Sequence, residues 1–195
     1  MAKAAKVHSE GELLRIKVVI RGIKPAIWRR LVVPAALNLA GVHVLLQVAF
    51  GWGNCHLHAF KRGVRRFLPM QTGVDFGRDG ESAVDESTIA IIDLLCGKGG
   101  RLVYQYDMGD FWEHEIVLEY RMGVGPLSIC CLDGARSSPP EDCGGAIMFK
   151  GLLSALSNPK HPDHDYLREW VGCDFDSEAF DRDAVNSALG RLKFA

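Results

Sequence analysis

The amino-acid sequence predicts an α+β protein: a compact single domain with a mainly antiparallel sheet of hairpins, packed helices and a helical C-terminal third. Three observations carry that expectation. Apolar and polar residues alternate with period two near the N-terminus and again from Leu102 to Tyr120. Helical periodicity with proline punctuation takes over from Phe149. Strands come early and helices late, without the regular alternation that a parallel sheet demands. A chain of 195 residues is long enough for one substantial core. Residues 1–10 are expected as a flexible N-terminus and 11–195 as one domain.

Leu14, Ile16, Val18 and Ile20 alternate with Arg15, Lys17 and Arg21, a half-buried strand with a charged outer face. GIKP turns the chain, and Ile27 to Val33 reads as a second strand closed by Pro34. Asn38 is a natural N-cap for a helix whose Leu39, Val42, Leu45, Leu46, Ala49 and Phe50 share one face. Gly51 is its C-terminal stop. HLHAF reads as a short strand, and the Gly- and Asp-rich segment from Arg62 to Glu86 as irregular. Ser87 or Thr88 is expected to cap a short helix through Ile89, Ile92, Leu95 and Cys96, ended by Gly97, Gly99 and Gly100. Further helices are expected over Phe149–Ser157, Pro162–Val171 and Asp183–Leu192. Pro162 falls near a first turn, where a missing N–H costs nothing.

YQYDMGDFWEHEI, residues 104–116, reads as a β-hairpin. Leu102, Tyr104 and Tyr106 share a face, and Met108-Gly109 between Asp107 and Asp110 is turn chemistry. On the return strand Trp112, His114, Ile116, Leu118 and Tyr120 lie on one side, and Glu113, Glu115, Val117 and Glu119 on the other. His114 thus falls on the apolar face. It is either a neutral core imidazole donating to a carbonyl or tyrosine, or a ligand or general base.

Charge is divided along the chain. Residues 1–70 hold 12 Lys+Arg and 2 Asp+Glu, whereas residues 71–195 hold 11 and 22. Such a split suits a nucleic-acid-binding half, or two halves that interleave and neutralise each other. The N-terminal MAKAAKVHSE has no apolar signal region, and the apolar run Val42–Phe50 is too short to cross a bilayer. No membrane partner is expected, and the location is expected to be cytoplasmic. Cys55, Cys96, Cys130, Cys131, Cys143 and Cys173 then read as reduced thiols.

Three groups of residues offer chemistry. His56 and His58 in HLH project from one face if that stretch is a strand, half of a site for zinc or another divalent metal. His114, Asp107, Cys131 or Cys143 are candidates to complete it. The segment from Cys131 through PPEDCGG combines rigid prolines, the acids Glu141 and Asp142, Cys143 and permissive glycines, a loop that holds ligands or locks the fold. Arg29, Arg30, Lys61, Arg62, Arg65 and Arg66 are candidate phosphate contacts, with Phe60, Phe67 and Phe76 available to stack on bases. His161 and His164 in HPDH read as a solvated helix start. Phosphate-loop, GxSxG and HExxH patterns are absent.

PAIWRRLVVP, FGWGNCHLHAF, YQYDMGDFWEHEI and CLDGARSSPPEDCGG, in that order, resemble the Ri-plasmid ORF-3-like family, also labelled mobile-element passenger or TnpR-like proteins. The likeness runs from about Leu13 to Leu189. It implies a compact single-domain α+β fold and brings no catalytic residues with it. The sequence departs from the family pattern at Ala59, where a longer polar residue is usual, and at AIMFKGLL after the double glycine. A serine recombinase would need an arginine-rich nucleophile setting and a basic DNA module, neither of which is evident.

Three functions follow. The first is an accessory or binding protein of mobile-element origin, with a polar pocket for a protein or small molecule formed by His56, His58, Asp107, Asp110, Trp112, His114, Glu141, Asp142 and Cys143. The second is a metal-assisted hydrolase or nuclease-like enzyme using His56, His58 and His114. The third, less favoured at a net charge of −1, is a nucleic-acid-binding module.

Overall fold

The computed structural model describes residues 10–70, 83–95, 97, 99–126 and 128–193. Phe76, Cys96 and residues 1–9 of the expected flexible N-terminus lie outside the described residues. The strands are β1 (Glu10–Ile20), β2 (Trp28–Pro34), β3 (His58–Arg62), β4 (Arg65–Leu68), β5 (Val84–Asp85), β6 (Arg101–Tyr106), β7 (Trp112–Pro126) and β8 (Cys130–Ala135). The helices are α1 (Leu39–Phe50), α2 (Ile91–Leu94), α3 (Gly145–Ser157), α4 (His164–Val171) and α5 (Arg182–Leu189). The strands form one sheet in the order β5-β4-β3-β6-β7-β1-β2-β8, antiparallel throughout except for β4 with β5. The fold is α+β, as the sequence predicts.

The period-two pattern is realised directly. Leu14, Ile16, Val18 and Ile20 of β1 are buried beside Ile116 and Leu118 of β7. α1 starts where the Asn38 side chain accepts from the Gly41 N–H and stops at Gly51, which adopts left-handed φ 73°. Its Leu39, Val42, Leu45, Leu46, Ala49 and Phe50 join the same hydrophobic cluster as the sheet, with Phe149 and Leu152 of α3 and Leu189 of α5.

The opposite face of the sheet carries the charges. Arg30 grips Glu119 through Nε and Nη2 at 2.7 and 3.0 Å, and Arg15 reaches the same carboxylate at 3.2 Å. Arg21 pairs with Glu113 and Glu115, and Arg101 with Glu115 at 2.8 Å. Lys17 and Arg30 lie over the Trp28 ring. The basic and acidic halves of the chain therefore interleave across β1, β2, β6 and β7. This ladder lowers the pKa of Glu119, chiefly through its hydrogen bonds to Arg30.

Several local expectations differ from the structure. The segment expected as irregular contains β4 and β5, and Cys130–Ala135, expected within a loop, is an edge strand on β2. Asp85, not Ser87 or Thr88, caps a short 3-10 turn over Glu86–Thr88, and α2 then starts after Ala90. Tyr120 is 59% exposed rather than buried. A bulge sets Arg15 opposite Tyr120 but Ile16 opposite Leu118, so Glu119 is the extra residue. One inserted residue reverses the in–out parity beyond it.

Ile16 is fully buried at the centre of the sheet. Ile16→Ala is expected to cost about 2–5 kcal/mol of stability, measured by urea unfolding.

Candidate metal centre

Three loops meet at one end of the sheet. The first, residues 51–57, begins where Gly51 ends α1. The second, residues 107–111, joins β6 to β7, and the third is the stretch 139–144 that leads into α3. They are stitched by backbone contacts. Trp52 Nε1 donates to the Pro139 carbonyl at 3.0 Å, the Gly53 N–H to Glu141 Oε1 at 2.8 Å, and the Asp107 N–H to the Leu57 carbonyl at 3.0 Å. Gly144 N–H donates to Asp110 Oδ2 at 2.9 Å. Gly145, at φ 73°, lies so close to the Asp110 carbonyl that a Cβ would sit 2.5 Å from its oxygen. Asp107, Phe111 and Asp142 all hold φ 57°, a left-handed conformation that side chains disfavour.

His56 stands where the loops converge. Its Nε2 is 3.3 Å from Asp142 Oδ1, 3.7 Å from Glu141 Oε2 and 3.8 Å from Asp107 Oδ2. That nitrogen is closed to solvent and has no hydrogen-bond partner. Asp107 and Glu141 are each held by their other oxygen. Asp107 Oδ1 accepts from the Gly109 N–H, and Glu141 Oε1 accepts from Gly53 and from the Tyr106 hydroxyl at 3.0 Å. His56, Asp107 and Asp142 offer donor atoms within 4.8 Å of one another, as do Cys55, His56 and Glu141. Donors bound at about 2.1–2.4 Å to one cation lie roughly 3.0–3.9 Å apart, so the separations from His56 Nε2 match those within a coordination shell. Among the described residues these acids have no Lys or Arg partner, their ion pairs being those with His56.

Other residues singled out from the sequence lie elsewhere or act as support. His58 does not share a site with His56: β3 begins only at His58, and its Nε2 bonds the buried Glu86 carboxylate at 3.0 Å. The His58 ring stacks on His43 at 3.5 Å between centroids. His43 donates from Nε2 to Asn54 and bonds the Tyr104 hydroxyl at 2.8 Å, and burial draws its pKa down to about 4. His114 is fully buried against the rings of Phe50, Trp52 and Tyr104. Its nitrogens make no hydrogen bond of good geometry, and burial, only partly opposed by the backbone of Tyr104 and Trp112, draws its pKa down to about 3. Trp112 packs on Phe149 and Trp52.

Asp110 anchors Gly144, and burial, with the Asp110 and Asp107 charges, pushes the Cys143 thiol up to about 12, which removes it as a nucleophile. Cys131 is buried and its thiol bonds the Asp133 carbonyl. The cysteines at 55, 130, 131, 143 and 173 are free. His161 pairs loosely with Asp163, and His164 Nδ1 contacts the Ala155 carbonyl.

The basic candidates also separate. Arg29 is buried and Arg30 is committed to Glu119, whereas Lys61, Arg62, Arg65 and Arg66 line the β3–β4 hairpin. Phe60 and Phe67 are fully buried and do not stack on bases. Sequence reasoning passed over Glu86, His43 and Tyr106 as site-supporting groups. Their partners are distant in sequence, and only the apolar setting of His43 within α1 hints at a buried role. Cys55, which precedes HLH directly, was within reach.

The fold and this cluster define an α+β protein with acids and an imidazole gathered at the loop end of one large sheet. The chain belongs to the plasmid pRiA4b ORF-3-like protein family, whose description matches residues 12–184. It is 33% identical over 184 residues to the uncharacterized protein y4hQ of Sinorhizobium fredii, covering 92% of each chain. The solved structure of MM3350, a protein of unknown function from Methanosarcina mazei Go1, superposes with a TM-score of 0.73 at 30% identity. That match covers 88% of this chain and 96% of the other. Among the described residues no helix is long and apolar enough to cross a membrane.

His43 and His114 both sit well below the unfolded value of about 6.5, so at lower pH the unfolded chain takes up protons that the folded chain refuses. Their contribution is intact above about pH 6.5 and is lost as the pH falls toward 4 for His43 and 3 for His114. His114→Phe is expected to lower the acid slope of unfolding free energy by about 1.4 kcal/mol per pH unit between about pH 6 and 4, read from urea titrations. Gly145→Ala is expected to destabilise the chain by about 1–3 kcal/mol and to separate the hairpin turn from the third loop, seen as faster amide exchange at Gly144.

Proposed function

We propose that this chain is a cytoplasmic accessory protein of mobile-element origin that binds one divalent cation at His56, Asp107 and Asp142, with Glu141 beside them. One observation carries the reading: the sealed, unpartnered Nε2 of His56 faces carboxylates that have no Lys or Arg among the described residues to neutralise them. The Asp107 and Asp142 carboxylates lie within 4.8 Å of one another, and their like charges repel, the more so on the buried Asp107 side. A cation converts that repulsion into ligation. Oxygen donors with one imidazole suit manganese, magnesium or zinc, and Cys55, whose Sγ lies within 4.8 Å of donor atoms of His56 and Glu141, favours zinc.

Three protein donors leave coordination positions for a group on a small molecule or protein partner. A second reading, a metal-assisted hydrolase, is favoured by Glu141. Its Oε1 is fixed by Gly53 and Tyr106 while Oε2 is turned toward His56, the placement a general base beside a bound cation requires.

Elemental analysis of tag-free protein, with titration of Mn²⁺ and Zn²⁺ into chelator-treated protein, tests the reading. About one equivalent is expected in the wild type, and at least tenfold weaker binding in His56→Ala and Asp107→Asn with unchanged circular dichroism. Absence of saturable binding of either metal would sink it. Glu141→Gln separates the two readings, since it is expected to spare the cation and to abolish any hydrolysis found.

A further inference from the structure

Arg29 is the basic residue of β2 that does not join the outer ladder. It lies on the core side of the sheet and is 4% exposed. Its Nε donates to the Ala49 carbonyl, and its Nη1 to those of Trp28 and Ala135. Phe50 and Phe180 stand over the guanidinium at 5.1 and 4.5 Å. Phe180 reaches that position because residue 134 is glycine: a Cβ there would meet the ring at 2.5 Å. No carboxylate pairs with Arg29 among the described residues, and Nη2 makes no hydrogen bond yet is not sealed from solvent. Burial draws the guanidinium pKa down to about 10. An unpaired buried charge is costly, and an anion would offset that cost.

Arg29 borders a cavity of about 600 Å³ between the end of α1, the Ser137–Glu141 stretch and α5. That volume suits a small organic molecule. Ser138 lines the same cavity, and its hydroxyl has no hydrogen-bond partner. A serine hydroxyl moves between staggered positions at little cost, so it is free to turn to a ligand. Phe50, Phe175, Phe180 and Val185 supply apolar wall. The acids at the boundary, Glu141 and Asp181, are occupied by Gly53 and Tyr106 and by the first turn of α5 respectively. Their charges disfavour a dianion such as phosphate.

We propose that this cavity binds a monocarboxylate with an apolar body, its carboxylate on Nη2 of Arg29 and the hydroxyl of Ser138, its body against Phe50, Phe175 and Phe180. With Nε and Nη1 given to carbonyls, the contact is end-on through one nitrogen rather than a two-nitrogen fork. Glu141 stands in the wall shared with the cation cluster, but the carboxylate needs no cation.

Calorimetric titration of hexanoate and phenylacetate into chelator-treated full-length protein, with hexanamide as the neutral control, tests this. Saturable binding with a Kd of roughly 0.1–1 mM is expected for the carboxylates. Hexanamide is expected to bind at least about tenfold more weakly. Ser138→Ala is expected to weaken hexanoate about fivefold without lowering thermal stability, because the hydroxyl it removes has no partner in the free protein. Ala188→Phe, which fills the cavity from α5, is expected to abolish binding. Arg29→Lys is informative only where circular dichroism reports a folded chain, and the other two variants stand without it. No saturable binding up to about 10 mM would overturn the proposal. So would hexanamide binding as tightly as hexanoate, or hexanoate binding unchanged in Ala188→Phe. Binding that appears only after a divalent cation is added would place the carboxylate at the neighbouring cluster and equally overturn it.

Discussion

The close approach of the Asp110 carbonyl to Gly145 sets the position of everything at the loop end of the sheet. The contact admits no side chain on residue 145, and the neighbouring Gly144 N–H is held by the Asp110 carboxylate. The start of α3 is therefore fixed relative to the β6–β7 turn. That in turn brings Asp142 and Glu141 beside His56, because the stretch between Pro139 and Gly144 is tied to Trp52 and Gly53 at its other end. A glycine pair, two hydrogen bonds and a tryptophan thus decide where the acids stand. Phe149, fully buried one turn further along α3, anchors that geometry in the core.

Two electrostatic regimes share one sheet. On the outer face, Arg15, Arg21 and Arg30 of the basic half, joined by Arg101, neutralise glutamates of the acidic half in partly exposed pairs, each of modest worth in high dielectric. At the loop end and beneath β2 the neutralisation stops. Among the described residues, carboxylates face a histidine without a Lys or Arg partner, and a buried arginine faces carbonyls and aromatic rings without an acidic one. The two unbalanced places carry opposite signs and lie on either side of Glu141 and Trp52.

Much of this was legible in the sequence where the cause was local. α1 was readable in full because its cap, its apolar face and its stop are properties of consecutive residues, Asn38 to Gly51. The hairpin and the inward aim of His114 followed from period two alone. What was not legible depended on partners far along the chain. His56 and His58 are two apart, yet β3 begins only at the second, so one joins the acids and the other finds Glu86. The bulge at Glu119 displaced Tyr120 to the outside, a one-residue insertion that no alternation pattern announces. β8 was read as loop because Cys130–Ala135 is an edge strand that pairs only with β2.

The left-handed conformations of Asn54, Asp107, Phe111 and Asp142 have a consequence for how this chain tolerates change. Each holds a side chain where glycine would be more comfortable, and all four lie in the loops that surround His56. Replacing Phe111 or Asp142 by glycine would relieve local strain while adding disorder to the unfolded chain, so little net stability is at stake there, whereas glycine at Asn54 would also leave Nε2 of the buried His43 without its partner. The geometry of the cluster is another matter. Glycine at Asp142 would be nearly neutral to folding and would remove a donor from the cluster, so foldability and site integrity are constrained separately at this position.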